Sequence, residues 1–361
     1  MRSHYCCGML TDRSGAAIGG RLERALRGVR VESGATPART AQAVLAALLG
    51  ALNADGGALV LMDPRTSLFT SGAVTALPPA SCHPFFRFEV DSEATRTFRR
   101  LAASGAGAVT VNLHESDDGY REAVLYPYGY NDELRVVCRA AGTSWAGVSL
   151  WRRIGAESFT IDEERALDRV APTVGSMMRD AVVRSIGVAP DTGTRHVLVL
   201  DGDDVVESST RSADDLEQLR DPDFEEYRHL DHLRALARSS ATFSTVIGMD
   251  DGRWLAAHGT PFGSGRVAII LTSATPSEMF GVVVAGAGLT HREIEVTRLI
   301  CRGHSDSEIG VLLAISPHTV HDHVRAVRTK LGVRSRTEVA AKVFDERYFE
   351  HFLASAAMSH L

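Results

Sequence analysis

The sequence has few cysteines, few aromatic residues and no long apolar run. Its five cysteines are odd in number and form no Cys-x-x-Cys pair, so neither a disulfide framework nor a zinc site built from thiolates is expected. No stretch approaches the roughly 18 to 20 apolar residues of a membrane-spanning helix, and the amino terminus lacks the pattern of a secretion signal. Aromatic residues make up 6% of the chain and none indicates a haem or flavin, so no cofactor is expected. These absences favour a soluble protein of the cytoplasm.

The net charge of −6 is unevenly distributed along the 361 residues. Residues 289–344 hold nine Arg or Lys and six Asp or Glu, which gives +3, whereas the remainder holds 30 basic and 39 acidic residues and carries −9. A basic segment on an acidic body favours one DNA-binding surface with little non-specific adhesion elsewhere.

The same basic segment predicts four short helices. Each begins with a side chain that can accept from the first free N–H groups of a helix, and these residues are Thr290, Ser305, Ser316 and Ser335. Three of the four are followed three residues later by glutamate, which completes a capping box. Pro317 occupies the first position of the third helix, where its missing N–H is harmless, and Gly303 and Gly332 supply helix ends.

The third predicted helix has an apolar stripe formed by Val320, Val324, Val327 and Leu331. Its other faces carry His318, His321, Asp322 and Arg325. A short scaffold helix, a tight turn and a third helix with a polar, partly basic face make up the helix-turn-helix plan, in which the recognition helix enters the major groove.

The segment resembles the LuxR/NarL/GerE family of DNA-binding domains. The matching residues are Leu289-Thr290-x-Arg292-Glu293-x-Glu295-Val296, Gly303-x-Ser305-x-x-Glu308-Ile309, Ile315-Ser316-x-x-Thr319-Val320-x-x-His323 and Lys330-Leu331-Gly332-Val333-x-x-Arg336. Two residues depart from the family pattern: Thr297 stands where Leu is usual, and Gly310 where Ala is usual. The resemblance implies a transcription regulator and covers only this part of the chain.

The helix-turn-helix geometry and the resemblance together predict the DNA contacts. His321, Asp322 and Arg325 are expected at base edges with His318 nearby, because Arg can pair with guanine and Asp can accept from cytosine N4. Phosphate contacts are expected from Ser305, Ser316, Thr319 and Lys330. The fourth helix, with Val339, Ala340 and Val343, is predicted either to cover the other helices of the group or to pair with a second copy. A homodimer on double-stranded DNA is expected because paired half-sites multiply the affinity of a small module.

The rest of the chain predicts two α+β modules. Residues 1–34, with weak periodicity, are expected to form a flexible tail with at most one short helix. Residues 35–185 contain a helix, mixed strands, among them Phe86–Val90, and a long closing helix, an order that resembles the GAF sensor fold. After a linker at 186–195, residues 196–274 contain two strands, helices and three strands, which resembles a PAS domain.

Residues 275–350 are assigned to the helix-turn-helix domain and 351–361 to a tail. The predicted fold class is therefore multidomain: two α+β sensor-like domains, GAF-like and PAS-like, followed by an all-α four-helix LuxR-type helix-turn-helix domain.

Other sensors and sites are disfavoured. Val197–Asp201 is similar to the start of a phospho-acceptor receiver domain, but such a domain needs a lysine and none precedes Lys330. Asp63-Pro64 lacks the upstream Trp and Tyr of acyl-homoserine lactone sensors and is expected to be a turn.

Two groups of histidines have spacings that a metal could use, His229-x-x-His232 and His318-x-x-His321-x-His323. No carboxylate or Cys cluster completes either group, so exposed helix faces are expected. No catalytic grouping is identifiable, so an enzyme is not predicted.

The sequence therefore predicts a DNA-binding transcription regulator whose sensor-like domains modulate a LuxR-type helix-turn-helix. The expected partners are double-stranded DNA and a second copy of the chain, with RNA polymerase and a small-molecule or protein signal as further candidates. No membrane partner is expected. The alternative is a protein-interaction scaffold, in which the α+β modules bind a partner and the helical module mainly dimerises. The signal, the operator and the direction of regulation stay open.

Overall fold

The computed structural model describes residues 6–32, 34–78, 81–90, 97–112, 120–186, 195–202, 206–210, 232–237, 242–249 and 253–344. The chain divides into two compact units, Met1–Ser273 and Ala274–Leu361. The first unit contains two five-stranded antiparallel sheets with their helices, and the second is helical. This arrangement confirms the predicted order of α+β modules followed by an all-α module.

The first sheet has the spatial order β2-β1-β5-β4-β3. Its strands are β1 (Gly56–Met62), β2 (Phe69–Thr75), β3 (Val109–Asn112), β4 (Tyr130–Ala140) and β5 (Thr143–Arg153). The helices of this module are α1 (Cys6–Gly28), α2 (Pro37–Leu52), α3 (Cys82–Val90), α4 (Phe98–Ser104) and α5 (Ile161–Ser185). A π-helical turn at Arg121–Leu125 and a 3-10 turn at Tyr126–Tyr128 precede β4. All residues of β1 are buried, as expected for an apolar run without alternation.

The closing helix α5 begins where the sequence predicts. Thr160 caps it and forms a capping box with Glu163. The helix crosses β4 at Gly175, where an added Cβ would lie 2.6 Å from the carbonyl carbon and oxygen of Arg139. The crossing therefore requires a residue without a side chain.

The amino-terminal segment does not form the predicted flexible tail. It forms α1, whose Ile18, Leu22 and Leu26 are buried and which packs against α2 and α5. Arg169 of α5 donates a hydrogen bond of 2.8 Å to the carbonyl of Gly15. The prediction was wrong because glycine lowers local helix propensity, whereas packing against distant helices supplies most of a helix's stability in a folded protein.

The predicted strand at Phe86–Val90 is also wrong, because these residues form the end of α3. Phe85 and Phe86 of this helix lie 6.2 and 5.8 Å from the ring of Phe69. A short apolar run does not distinguish a strand from a buried helix by its periodicity alone. Here the packing of Phe85 and Phe86 against Phe69 of β2 favours the helix over the strand.

A fully buried arginine lies in the core of the first module. Arg135 of β4 donates hydrogen bonds to Glu89 at 2.5 Å and to the hydroxyl of Tyr120 at 2.7 Å, and its Nε lies 2.8 Å from Glu133. The side chains of Arg135, Glu89 and Glu133 are at most 1% exposed. Burial raises the pKa of Glu89 above its ordinary value, although Arg135 beside it acts in the opposite direction. The ion pair between Arg135 and Glu89 therefore joins α3 to strand β4.

The second sheet has the spatial order β7-β6-β10-β9-β8. Its strands are β6 (Arg195–Leu200), β7 (Val206–Ser209), β8 (Phe243–Gly248), β9 (Trp254–Phe262) and β10 (Arg266–Ser273). Residues 232–237 between β7 and β8 are helical. The five strands follow in the predicted order, and residues 232–237 belong to the second of the two predicted helices. The first predicted helix of this module, linker residues 187–194 and the tail at 351–361 lie outside the described residues.

The sequence predicts that His232 lies on an exposed helix face, and this prediction is wrong. It is 3% exposed, and its ring lies 5.2 Å from Phe69 and 5.2 Å from Phe86 of the first module. His229 lies outside the described residues. The apolar surroundings of His232 come from a distant part of the chain, so local spacing could not indicate them.

The second unit contains α6 (Pro276–Gly286), α7 (His291–Cys301), α8 (Asp306–Leu313), α9 (Pro317–Leu331) and α10 (Arg336–Phe344). Helices α7 to α10 are the four that the sequence predicts. Helix α6 is additional and contributes Phe280 and Val284 to the hydrophobic core of the unit. Within the described part of the chain, no helix combines the length and the apolar character needed to cross a membrane.

Candidate nucleic-acid interface

The helix ends of the second unit are set by local hydrogen bonds, as predicted. The capping pairs are Thr290 with Glu293, Ser305 with Glu308, Ser316 with Thr319, and Ser335 with Glu338. Gly303 and Gly332 adopt φ angles of 85° and 69°, the left-handed conformation that glycine favours at helix ends. The starts of α8 and α9 are therefore fixed by their own sequence.

The turn between α8 and α9 is tight. Ala314 has a φ of 52°, and the N–H of Ile315 donates to the carbonyl of Gly310 at 2.9 Å. A Cβ on Gly310 would lie 2.8 Å from the carbonyl oxygen of Ile315. Glycine at this position therefore lets the chain after α8 approach the helix closely.

Helix α9 has one buried and one exposed face. The predicted stripe of Val320, Val324, Val327 and Leu331 is buried in the core of the unit. His318, His321, Asp322 and Arg325 are exposed. Both His321 and Asp322 lie three or four positions from His318 and from Arg325, so the four residues share a face. This face is the one that the sequence assigns to base contacts.

Ionisable side chains near this face form three close pairs. His318 Nε2 lies 3.8 Å from Asp322 Oδ2, and His321 Nδ1 lies 3.9 Å from Asp306 Oδ2 at the start of α8. Arg336 of α10 forms an ion pair with Asp306 and also donates to the carbonyl of His304. Among the described residues, Arg325 has no carboxylate partner within ion-pair distance, so its guanidinium is available to an external acceptor.

The residues predicted at phosphates are also at the surface. Ser305 and Ser316 are exposed at helix amino termini, where N–H groups and the helix dipole favour an anion. Thr319 is half-buried, and its hydroxyl lies 2.8 Å from that of Ser316.

Lys330 forms an ion pair that the sequence does not indicate. Its Nζ lies 2.7 Å from Glu293 Oε2, and about a third of its side chain is exposed. Burial opposes ionisation of Glu293, but the hydrogen bonds from Lys330 and Thr290 outweigh it, and the pKa of Glu293 lies below its ordinary value. Lys330 thus connects the end of α9 to the start of α7.

Replacing Lys330 with methionine is expected to lower the melting temperature of the second unit at pH 7 by about 2 to 5 °C. Because the folded-state pKa of Glu293 is lowered, the stabilisation is fully present above the ordinary glutamate pKa of 4.5 and is lost as the pH falls through the lower folded-state value. The difference between wild type and variant should therefore shrink on acidification. Scanning calorimetry of the full chain at several pH values measures it.

The other lysine of the chain provides a matched control. Lys342 is exposed on α10, and Lys342→Met removes the same charge without breaking the pair with Glu293. An equal loss of melting temperature in both variants would show that the pair with Glu293 does not stabilise the unit.

Of the two roles predicted for α10, covering the helical group is confirmed, and pairing with a second copy through Val339 and Val343 is wrong. Val339 and Val343 are 0% and 2% exposed and belong to the hydrophobic core of their own unit, together with Val296 and Ile300. Ala340 is half-buried. The periodicity correctly marks the apolar face of α10 but does not show which surface covers it. Because the core of the same unit covers Val339 and Val343, these side chains are not available to a second copy.

The histidine spacings do not assemble a metal site in the described part of the chain. There, no group of three or more His, Cys, Asp and Glu side chains is arranged to hold a metal ion. His318 and His321 each face an aspartate instead.

Comparison with known proteins gives matches to the second unit. Residues 287–343 match the model of the family described as bacterial regulatory proteins, luxR family. The transcriptional regulatory protein UhpA of Escherichia coli is 40% identical over 57 residues, which is 16% of this chain and 29% of UhpA. The oxygen regulatory protein NreC of Staphylococcus aureus is 34% identical over 62 residues, 17% of this chain and 29% of NreC. The chain thus spans less than a third of the length of these relatives.

Among solved structures, the GAF domain of a phosphoenolpyruvate-protein phosphotransferase from Coxiella burnetii is similar to this chain with a TM-score of 0.33 and 12% sequence identity. The similarity covers 47% of this chain and 95% of that domain.

Proposed function

We propose that this protein, whose residues 287–343 form a LuxR-family helix-turn-helix domain, is a transcription regulator that binds specific sequences in double-stranded DNA. The observation that carries the proposal is the two-sided character of α9. Its apolar stripe is buried in the unit, while His318, His321, Asp322 and Arg325 share the exposed face. A recognition helix needs this combination to enter the major groove.

The proposed contacts follow from the chemistry of these side chains. Arg325 is proposed to pair with guanine, and Asp322 to accept from cytosine N4, with His321 also at base edges and His318 nearby. The phosphate backbone is proposed to contact three residues at helix starts, Ser305, Ser316 and Thr319, and also Lys330 near the end of α9. The positive net charge of residues 289–344 supports attraction to the phosphate backbone.

The two α+β modules are proposed to control the helix-turn-helix. A small molecule or a partner protein is the proposed signal, and a homodimer is the proposed DNA-bound form, because paired half-sites multiply the affinity of a small module. RNA polymerase is a further proposed partner of the DNA-bound regulator.

One observation favours the alternative of a protein-interaction scaffold. Val311 and Leu312 on α8 are 83% and 57% exposed, which is unusual for adjacent apolar side chains on a helix. In this alternative, the α+β modules bind a partner protein, and the helical unit uses such a surface mainly to dimerise and has only weak affinity for DNA.

Selection of random-sequence DNA with the purified full chain, followed by sequencing and by affinity measurements against salt concentration, tests the proposal. We expect an enriched motif, palindromic for a dimer, and an affinity that falls steeply with salt because phosphate contacts release counterions. Binding without an enriched motif would favour the scaffold alternative. Absence of salt-dependent binding would contradict DNA as a partner.

A further inference from the structure

Three aromatic rings enclose the buried arginine of the first module. The guanidinium carbon of Arg135 lies 4.9 Å from the ring centres of Phe98 and Tyr120 and 5.5 Å from that of Phe88. Phe88 belongs to α3, Phe98 begins α4, and Tyr120 precedes the π-helical turn. Aromatic faces attract cations, and several rings around one cation form a cage that recognises it. Three separate segments of the chain thus converge on one guanidinium group.

Two carboxylates hold the same cation. Glu89 Oε1 accepts from Arg135 at 2.5 Å, and Glu89 Oε2 accepts from the N–H of Phe98 at 2.8 Å. Glu133 Oε1 lies 2.8 Å from Arg135 Nε and also accepts from the hydroxyl of Tyr120 at 3.2 Å. Burial opposes the charge of Arg135, but Glu133 and Glu89 outweigh it, and the pKa of Arg135 lies above its ordinary value. The guanidinium is therefore a charged group inside the module.

The groups around Arg135 have the composition of a ligand site. Such sites are lined mainly by apolar and aromatic side chains, with a few polar groups that converge on the ligand. Trp151 and Ser149 donate to Glu133 Oε1 and fix this carboxylate, while Glu133 Oε2 is buried without a hydrogen-bond partner among the described residues. The site therefore has more acceptor capacity than Arg135 uses, which favours a cation. The buried apolar residues of the same cluster include Phe69, Phe85, Leu101, Val124 and Leu125.

Arg135 is fixed in this site by the sheet. Its strand β4 lies inside the sheet, where Arg135 is opposite Ser149 of β5 on one side and opposite Val109 of β3 on the other. Its side chain is 0% exposed. The side chain therefore cannot leave the cage without disrupting the sheet or the helices around it.

We propose that the interior of the first module is a binding site for a guanidinium cation and that Arg135 is its permanent, internal ligand. A small-molecule signal therefore cannot act by entering this site. The regulatory consequence rests on the proposed function, in which the α+β modules control the helix-turn-helix, and it narrows where a signal can bind.

Removal of the internal ligand should open the site to a free cation of the same shape. Arg135→Ala removes the part of the side chain beyond Cβ, which corresponds to ethylguanidinium. The full-length variant is titrated with ethylguanidinium chloride, and thermal unfolding is followed by tryptophan fluorescence, because Trp151 lies in the same cluster. We expect the melting temperature to rise by about 2 to 5 °C at a concentration of about ten times the Kd. If the variant is unfolded without the cation, the cation should restore the fluorescence of the folded protein.

Two further solutes separate charge from shape. N-ethylurea has nearly the shape of ethylguanidinium but no charge, and it should stabilise Arg135→Ala much less. Potassium chloride at the same concentration controls for ionic strength.

Two proteins serve as controls for the site. The wild type should show no rise in melting temperature with ethylguanidinium, because Arg135 occupies the cage. The variant that combines Arg135→Met with Glu89→Gln and Glu133→Gln should show none either, because it lacks the carboxylates.

Two results would overturn the inference. The first is an Arg135→Ala variant that gains no more from ethylguanidinium than from N-ethylurea, since the site would then not recognise the cation. The second is a wild type that ethylguanidinium stabilises as much as the variant, since the effect would then not come from the cage.

DNA binding tests the proposed function separately. If the first module controls the helix-turn-helix, ethylguanidinium should change the affinity of Arg135→Ala for a duplex with the selected motif by about fivefold or more and leave the wild type unchanged. Fluorescence anisotropy measures both affinities. Stabilisation of the variant without any change in its DNA affinity would contradict control by the first module and leave the occupied cation site intact.

Discussion

Replacement of Arg135 with alanine is expected to lower the free energy of unfolding of the first unit by about 3 to 5 kcal/mol. The substitution would leave Glu89 and Glu133 buried without their cation, and the hydroxyl of Tyr120 without its donor. The cost therefore comes mainly from the groups that remain, and only partly from the interactions that are removed.

Urea unfolding of the full chain, followed by tryptophan fluorescence, measures this loss. Two of the three tryptophans, Trp145 and Trp151, are buried in the same module and report its unfolding. The control is Arg165→Ala on the exposed surface of α5, which should change stability by less than about 0.5 kcal/mol.

A second comparison separates charge from packing. Replacing Arg135 with methionine and both Glu89 and Glu133 with glutamine removes the buried charges together, and this variant should recover much of the stability that Arg135→Ala loses. An Arg135→Ala variant as stable as the Arg165→Ala control would contradict the importance of the buried cluster.

Replacement of Arg325 with alanine is expected to weaken binding to the selected operator by about 1 to 3 kcal/mol, or roughly 5- to 150-fold. The reason is the exposed position of Arg325 on the side of α9 that is proposed to face the bases, without a carboxylate partner among the described residues. If it pairs with guanine, the preference at one base pair should relax while the other positions keep theirs.

Lys330→Ala provides the comparison, because a phosphate contact carries no sequence information. We expect it to weaken all duplexes alike and to reduce the salt dependence of binding. Competition between the operator and single-base variants, with each protein at the same salt concentration, distinguishes the two effects. Unchanged operator affinity in both variants would refute this orientation of α9.

The second unit was predictable in its local features because its helix ends are encoded by neighbouring residues. A capping box or a Ser-Pro start involves residues no more than three positions apart. The pairs of Lys330 with Glu293 and Arg336 with Asp306 join residues 37 and 30 positions apart, so no local pattern indicates them. The same limit explains Val339, whose apolar character was evident and whose partner was not.

In the first unit too, local features are predictable from the sequence, whereas contacts between residues far apart in the chain are not. The order of its ten sheet strands and of helices α2 and α5 follows from apolar runs and turns. Arg135 and Glu89 are 46 positions apart, and each stands in a segment whose pattern gives no sign of the other. Helix α1 went unrecognised because its stability comes from packing on α2 and α5 and not from its own composition.

The packing of α1 against α5 has a consequence for synthesis of the chain on the ribosome. The carbonyl of Gly15 and the guanidinium of Arg169 that binds it are 154 positions apart. At a translation rate of about 5 to 20 residues per second, α1 leaves the ribosome roughly 8 to 30 seconds before its partner helix. During this interval α1 lacks the surface of α5, so Ile18, Leu22 and Leu26 cannot reach the burial that they have in the folded protein.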